Sequence, residues 1–378
     1  MKKILIIVST LRVGGIERVA AKTAELLSEK YDVSMVVFDT SDMFFSPPCQ
    51  IIDLHIPADN RIWKKVWNAL RRAWIVRKIR KKGRIDLVYS MGTPANLVNV
   101  LSGGTGKTIV SVHEYTAATR TDILIKFIHR KCDLIVGVSK GICRSVSDSG
   151  FPDKTVCLYN PQSINDLLIA GKEPVNDYSF SPHTIVGHGR LEEGKDWPRL
   201  IKAFSLIKKQ IPDSRLLIIG DGKQKEALQK LINFYDIQDS ATLIGSRSNP
   251  FAYLSRSSLY VFSSHSEGFS NSLLEAMAWL PVISVDCPCG PREILSIDAS
   301  GKSASGIEYA DYGILVPPAS DRSFRREITE DDRILAEAMV MVLSSAEMAE
   351  AMKNAAKKRA AEFTCERYLQ QLTEIIGQ

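Results

Sequence analysis

F-S-S-H-S-E-G-F-S-N-S-L-L-E-A-M-A-W-L-P-V-I-S-V-D-C-P-C-G-P-R-E-I-L, residues 262–295, is the stretch whose reading decides the fold. Residues 258–262 read as a buried strand leading in and 281–285 as a strand leading out. Between them a Gly-containing turn opens a helix whose body is L-L-E-A-M-A-W-L over about 271–279, with Ser270, Asn271 and Ser272 as capping residues. A strand–helix–strand unit of this kind belongs to a parallel sheet. It puts the helix N-terminus at the sheet's carboxyl edge, where open α/β sheets bind ligands. The unused N–H groups and positive dipole end of a first helical turn attract an anion such as phosphate. Glu267 and Glu275 flank that position. Carboxylates do not bind phosphate, but they accept hydrogen bonds from hydroxyls on either side of it, and a nucleotide sugar presents ribose, diphosphate and hexose in that order. A lone pair of glutamates eight apart is a weak signal, because a Glu in a first helical turn is often only matched to the dipole; the flanking strands raise it.

The rest of the chain repeats the alternation. Strands are expected at 4–8, 33–38, 87–89, 109–112 and 134–138, with helices at 16–29, 61–81, 119–130 and 140–149. The polar, Pro-containing stretches 159–163 and 171–183 break the pattern and mark an interdomain connection. Strands then recur at 184–186, 216–219, 241–243, 259–262 and 282–285, with helices near 197–209, 223–235, 250–256 and 331–343, and two more over 346–376. The expected class is α/β, with two doubly wound Rossmann-like domains, 1–165 and 180–362. A length of 378 residues suits two domains. No apolar run is long enough to span a bilayer, and the opening run 4–8 is too short for a signal peptide, ending in Ser9, Thr10 and Arg12. The seven cysteines are odd in number and scattered, and Cys287-Pro-Cys289 has no second pair to complete a zinc site, so reduced cytosolic thiols are expected.

Four elements, in order, carry a resemblance. Residues 262–295 resemble the E-x7-E region of retaining glycosyltransferases of family 4, which have the GT-B fold of two domains facing across a cleft. Residues 187–204, G-H-G-R-L-E-E-G-K-D-W-P-R-L-I-K-A-F, are similar to the family's G-R-L-x-x-x-K-x-x-x-x-L-I-x-A-F element. Residues 216–222, L-L-I-I-G-D-G, resemble its next strand and turn, and G-G-I-E-R at 14–18 its amino-terminal glycine loop. The resemblance implies that Glu275 holds the ribose hydroxyls and Glu267 the sugar hydroxyls, with Gly268, Phe269 and the backbone near Leu273 and Leu274 against the donor. It also implies a last helix, about 364–378, that crosses back onto the first domain.

Arg190 and Lys195 lie on a Gly-rich loop after the first strand of the second domain. Two cations five apart at a sheet's carboxyl edge suit a diphosphate leaving group, whose growing negative charge they stabilise; the resemblance assigns both to the donor's phosphates. Asp221, within Gly220-Asp-Gly222, is left without a role. Gly14 and Gly15 follow the first strand and let a ligand approach the backbone closely, Gly15 towards the donor and Gly14 towards the acceptor. The pair lacks the full dinucleotide fingerprint. His113 ends a strand; a lone histidine there usually just satisfies hydrogen bonds, but in the resembled family a histidine at this place lies near the transferred sugar. No D-x-D motif is present, and Asp331-Asp332 opens a charged helix far from the other motifs. Neither a metal nor a cofactor is expected, with a nucleotide diphosphate sugar as co-substrate.

Residues 61–84 hold eleven Lys or Arg and no acid. Trp63, Trp67, Leu70 and Trp74 recur on one helical face, while Lys64, Lys65, Arg71, Arg72, Lys78 and Lys82 fall largely on another. Two readings stay open: the Trp stripe packs the helix on its domain's sheet, or the helix lies at an anionic membrane surface with Trp at headgroup level. A lipid-linked acceptor carrying a diphosphate would use the same cations. Nothing else resembles a nucleic-acid module. The expectation is a metal-independent retaining enzyme, peripheral on the inner face of the cytoplasmic membrane. The G-P-R-E-I-L ending at 290–295 resembles that of bacterial polysaccharide and glycan-assembly members of the family, and this resemblance implies a UDP-linked hexose or N-acetylhexosamine moved to a lipid-linked glycan. The rivals are a non-catalytic nucleotide-sugar-binding scaffold and a GT-B relative such as an epimerase.

Overall fold

The computed structural model describes residues 1–115, 123–298, 303–320, 324 and 326–377. The chain divides into two compact units, Met1–Pro161 with Cys365–Gln378, and Gln162–Thr364. The division falls at Pro161, so the stretch 171–183 and the helix Ile164–Ala170 before it belong to the second unit.

Among the described residues the first unit holds seven strands: β1 Lys3–Val8, β2 Asp32–Val37, β3 Gln50–Asp53, β4 Leu87–Met91, β5 Lys107–Val112, β6 Leu134–Gly137 and β7 Thr155–Cys157. Their order is β3-β2-β1-β4-β5-β6-β7, every pairing parallel. The central strands are near-continuous apolar runs because helices cover both faces. On one face Ile4, Ile6 and Val8 pack with Val19, Leu27, Leu369, Leu372 and Ile376. On the other, Leu5 and Ile7 pack with Ala73, Val76 and Val98. Of the expected helix at 119–130, residues 116–122 lie outside the described residues and the remainder is Ile123–Lys131.

The second unit holds β8 Thr184–His188, β9 Arg215–Ile219, β10 Ala241–Gly245, β11 Leu259–Phe262, β12 Val282–Val285, β13 Glu308–Ala310 and β14 Gly313–Val316. Their order is β10-β9-β8-β11-β12-β14-β13, parallel except for the β13–β14 hairpin. In each sheet the order reverses beside the first strand, between β1 and β4 and between β8 and β11. Such a switch point leaves a crevice at the carboxyl ends of the two strands. The loops 189–196 and 263–270 rise from that edge in the second unit.

Candidate active site

The loop after β8 is built to hold two cations at the crevice. Trp197 Nε1 donates to the Arg190 carbonyl at 2.9 Å, Ser263 Oγ donates to the Lys195 carbonyl at 2.7 Å, and the His265 amide donates to the Gly194 carbonyl at 3.1 Å. The loop after β9 supports it from the other side. Gly220, at φ +153°, lies so close that a Cβ there would stand 1.9 Å from the Gly189 carbonyl oxygen, a backbone atom that cannot yield. Gly220 therefore serves the packing of the two loops. Asp221 spends its carboxylate on Lys225, 3.0 Å away.

Lys195 Nζ donates to Glu267 Oε1 at 2.6 Å, joining the two motifs across 72 residues of sequence. The ammonium also stands 5.6 Å from the Phe262 ring. Arg190 is different. Its side chain is 69% exposed, with Glu192 its one ion-pair partner among the described residues, at 3.3 Å, so it is a cation open to an anionic ligand. Glu275 is buried, and His188 Nε2 sits 3.0 Å from its Oε2. His188 has no role in the sequence reading; its place two residues before Arg190, at the end of β8, is the signal that could have found it. Its Nδ1 is buried and has no hydrogen-bond partner among the described residues.

The helix between the glutamates is Asn271–Ala276, shorter than expected, with Met277 as its C-cap. Ser270 is the N-cap residue but does not cap with its side chain, whose Oγ is buried with no hydrogen-bond partner among the described residues. The Leu274 amide already donates to the Ser270 carbonyl at 3.1 Å, and the side chains of Leu273 and Leu274 are fully buried. Gly268 and Phe269 are buried too, the Phe269 ring 5.7 Å from Phe363. The short helix is thus locked from its apolar side, and Gly290, at φ +93°, is packed against the Ser270 backbone.

His113, Gly14 and Gly15 belong to the first unit. His113 lines a pocket with Gly92, Thr93, Asn96, Glu114 and His129. Burial pushes its imidazole down to about 4, so the ring is neutral at physiological pH. Gly15 opens the helix Gly15–Ser28, and Gly14 is its extended N-cap, its carbonyl accepting from the Arg18 amide at 3.1 Å. The Glu17 carboxylate folds back beside Gly14 and accepts from Thr10 at 3.2 Å.

The basic segment forms one helix, Ile62–Gly83. Its buried face is Ala69, Arg72, Ala73, Val76 and Arg80. The Trp stripe does not pack on the domain: Trp63, Trp67 and Trp74 are 64%, 64% and 58% exposed, with Val66 and Leu70 beside them. Lys65, Arg71 and Lys78 are exposed as well, Lys78 Nζ lying 3.4 Å from the Trp74 ring centroid. Lys64 is half-buried and pairs with Asp59 at 3.3 Å. Arg72 corrects the sequence reading. It is buried, donating to the Ile56 carbonyl at 2.7 Å and the Pro57 carbonyl at 3.0 Å, with its guanidinium 4.1 Å from the Phe38 ring. An Arg can be taken inside when backbone carbonyls satisfy its fork of donors, so Arg72 fastens the helix and is unavailable to a surface. Among the described residues no helix is long and apolar enough to cross a membrane.

Two family models account for nearly the whole chain: "Glycosyltransferase Family 4" matches residues 13–163, and "Glycosyl transferases group 1" matches residues 181–359. An uncharacterized glycosyltransferase of Methanocaldococcus jannaschii is 30% identical over 336 residues, covering 80% of this chain and 82% of that one. The chain belongs to the family 4 glycosyltransferases. The transferase is also 28% identical, over 96% of both chains, to the N-acetylgalactosamine-N,N'-diacetylbacillosaminyl-diphospho-undecaprenol 4-alpha-N-acetylgalactosaminyltransferase of Campylobacter jejuni. In fold it matches Anabaena HepE in complex with UDP and glucose, with TM-score 0.77 and 16% identity over the full length of both chains. The α/β, GT-B class read from the sequence is the class of this transferase.

Proposed function

We propose that this transferase moves a hexose or N-acetylhexosamine from a UDP-sugar to a lipid-linked glycan, with retention of anomeric configuration, without a metal, at the anionic inner face of the cytoplasmic membrane. The observation that carries the reading is the Lys195–Glu267 pair at the crevice between β8 and β11, beside the exposed Arg190. In this reading Lys195 and Arg190 neutralise the diphosphate as the sugar–phosphate bond breaks, in place of a metal. Glu267 accepts from the sugar hydroxyls, and Glu275, oriented by His188, accepts from the ribose. No side chain is assigned as a nucleophile; the leaving phosphate takes the proton of the acceptor hydroxyl on the same face of the sugar. The acceptor class is supported by the Campylobacter relative, named for a diphospho-undecaprenol substrate, and the UDP donor by the ligands of the Anabaena neighbour. The exposed Trp63, Trp67 and Trp74 with Lys65, Arg71 and Lys78 support the membrane surface, aromatic rings seated among headgroups and cations on anionic lipid.

The test is incubation with a panel of nucleotide sugars and extracted membrane lipids, with and without EDTA, followed by determination of the product's anomeric configuration. Transfer from a UDP-sugar, retained and indifferent to EDTA, is expected. An inverted product refutes retention. Activity lost with EDTA and restored by manganese refutes metal independence. Donor binding with neither transfer nor hydrolysis supports the scaffold reading instead.

A further inference from the structure

Lys195 and Trp197 stand two residues apart and are committed to opposite surroundings. Lys195 Nζ reaches Glu267 Oε1 at 2.6 Å, and its stem lies over Gly189, where a Cβ would stand 3.6 Å from Lys195 Cε. Trp197 is buried with Ile185, Leu200 and Leu216 in the core of the second unit and donates through Nε1 to the Arg190 carbonyl. The residue between them, Asp196, makes the reversal. Its φ of +47° and ψ of +45° place it in the left-handed region. Of the four described non-glycine residues with positive φ, His55, Arg84, Asp196 and Asp236, it is the one that adjoins a residue of the candidate site.

The backbone is committed on both sides of this turn. The Asp196 amide donates to the Glu193 carbonyl at 3.1 Å, closing the single helical turn Glu193–Lys195. The Asp196 carbonyl accepts from the Arg199 amide at 3.2 Å, in the first turn of the helix Trp197–Gln210. The Lys195 carbonyl between them is held by Ser263 Oγ. A right-handed Asp196 would break these bonds or turn the Lys195 side chain from Glu267. Left-handed backbone crowds the Cβ of most residues; Gly has none, and Asp and Asn tolerate the conformation better than the rest. Capping does not account for the aspartate. It stands at the N-cap, where a carboxylate ordinarily accepts from the helix amides, yet its side chain makes no cap bond. The charged and titratable groups that act on its carboxyl are Arg199, His265, Lys202 and Asp332. We propose that Asp196 is a positioning residue whose left-handed backbone, rather than its charge, aims the Lys195 ammonium at Glu267 and so at the diphosphate of the donor. The diphosphate rests on the function proposed above; the aim at Glu267 does not.

Four substitutions separate the turn from the charge. Asp196→Gly and Asp196→Asn remove the charge and keep a residue that accepts the left-handed region, so kcat should fall by no more than about threefold. Asp196→Glu keeps the charge and gives up that tolerance; kcat should fall by about tenfold, the scale of the steric penalty of a left-handed backbone, with KM for the donor changed little. Asp196→Ala should lose as much, which covers the case that the longer side chain is not accommodated. In a Lys195→Ala background, adding Asp196→Glu should cost almost nothing further, because the cation it aims is gone, whereas a residue serving only the fold would cost the same in either background. Nuclear magnetic resonance of the full chain labelled with 15N in its lysines reads the Lys195 ammonium beside Glu267 without turnover, Lys195→Arg assigning the signal. The signal should stay in Asp196→Gly and Asp196→Asn and move in Asp196→Glu and Asp196→Ala. Equal losses in the Gly, Asn and Glu variants, wild-type kcat in both Asp196→Glu and Asp196→Ala, an undiminished loss in the Lys195→Ala background, or a Lys195 signal that neither Asp196→Glu nor Asp196→Ala moves overturns the proposal. Absence of transfer from any donor by the wild type would instead be a failure of the proposed function, and the resonances would still decide what aims Lys195.

Discussion

Replacing Lys195 with Ala removes an ammonium that sits 2.6 Å from Glu267 Oε1 at the crevice. Two unit charges about 4 Å apart interact by about 4 kcal/mol at an effective dielectric of 20, the value suited to sites near a protein surface. Loss of one preorganised donor to a developing oxyanion costs about 2.7–4 kcal/mol, or about 10²–10³ in kcat. The two scales agree, so a loss of about 10²–10³ in kcat is expected. Stability should move little: the side chains of Lys195 and Glu267 remain 23% and 14% exposed, and pairs in contact with solvent contribute about 1 kcal/mol or less. Initial rates of UDP release in the presence of acceptor, set beside urea unfolding midpoints, separate the two effects. Because the residues touch, Lys195→Ala combined with Glu267→Gln should cost less than the sum of the single changes, by about 0.5–3 kcal/mol. A kcat loss below about tenfold, roughly 1.4 kcal/mol, refutes the clamp. So does a loss matched by an equal fall in stability.

Arg190→Ala should slow transfer by a similar factor with no shift in the unfolding midpoint, since its side chain is 69% exposed; an unchanged rate places its charge outside the reaction. Replacing Lys65, Arg71 and Lys78 together with Gln should weaken co-sedimentation with anionic vesicles by about 10²-fold, at about 1 kcal/mol per basic residue, and leave donor affinity unaltered. Binding that is equal on neutral vesicles or indifferent to salt would contradict it. Arg72→Gln should instead lower the melting temperature, because it unties Ile56 and Pro57 from the helix. Burial, with Lys154 nearby, holds His129 at about 4, below its ordinary 6.5. The unfolded chain then binds more protons between those values, so stability is complete above pH 6.5 and declines towards pH 4, by up to about 3 kcal/mol from this group. His129→Gln should flatten that slope in urea unfolding at pH 7 and 4.5; parallel wild-type and variant slopes would show that His129 is not its source.

The elements legible in the sequence are those whose chemistry is uniform along the chain. β1, β8, β11 and β12 are short segments rich in Ile, Val and Leu and buried along most of their length, the pattern of a parallel strand covered on both faces. The strands missed are β3 and β7, which lie at the sheet edge and half-buried with Gln50, Asp53 and Thr155 among them, and the short β13–β14 hairpin, whose β14 is buried but only four residues long. The helix Thr93–Ser102 escaped because Asn96 and Asn99 look like surface residues, yet both are buried, bonded to Ser90, to the Ser111 carbonyl and to the Ile109 carbonyl. Arg72 misled in the same way; its spacing from Ala69, Ala73 and Val76 was the available sign. Motif spacing indicated Arg190, Lys195, Glu267 and Glu275 as candidates but not their pairing. Which carboxylate meets Lys195 and which meets His188 depends on where two loops end in space, and no periodicity encodes that.

The first unit is discontinuous in the chain, and this bears on the order in which the molecule can be made. Tyr368, Leu369, Leu372, Ile375 and Ile376 are core residues of that unit, but the ribosome adds them after all of Gln162–Thr364. Domains fold as they emerge, usually the amino-terminal one first. Here that order is inverted at the last step: the second unit has its whole complement of residues while the first still exposes an apolar trough along Val19, Leu27 and the face of β1. For the time needed to translate some two hundred residues the nascent chain carries this unsealed surface, a natural place for a chaperone to attend and for aggregation to begin.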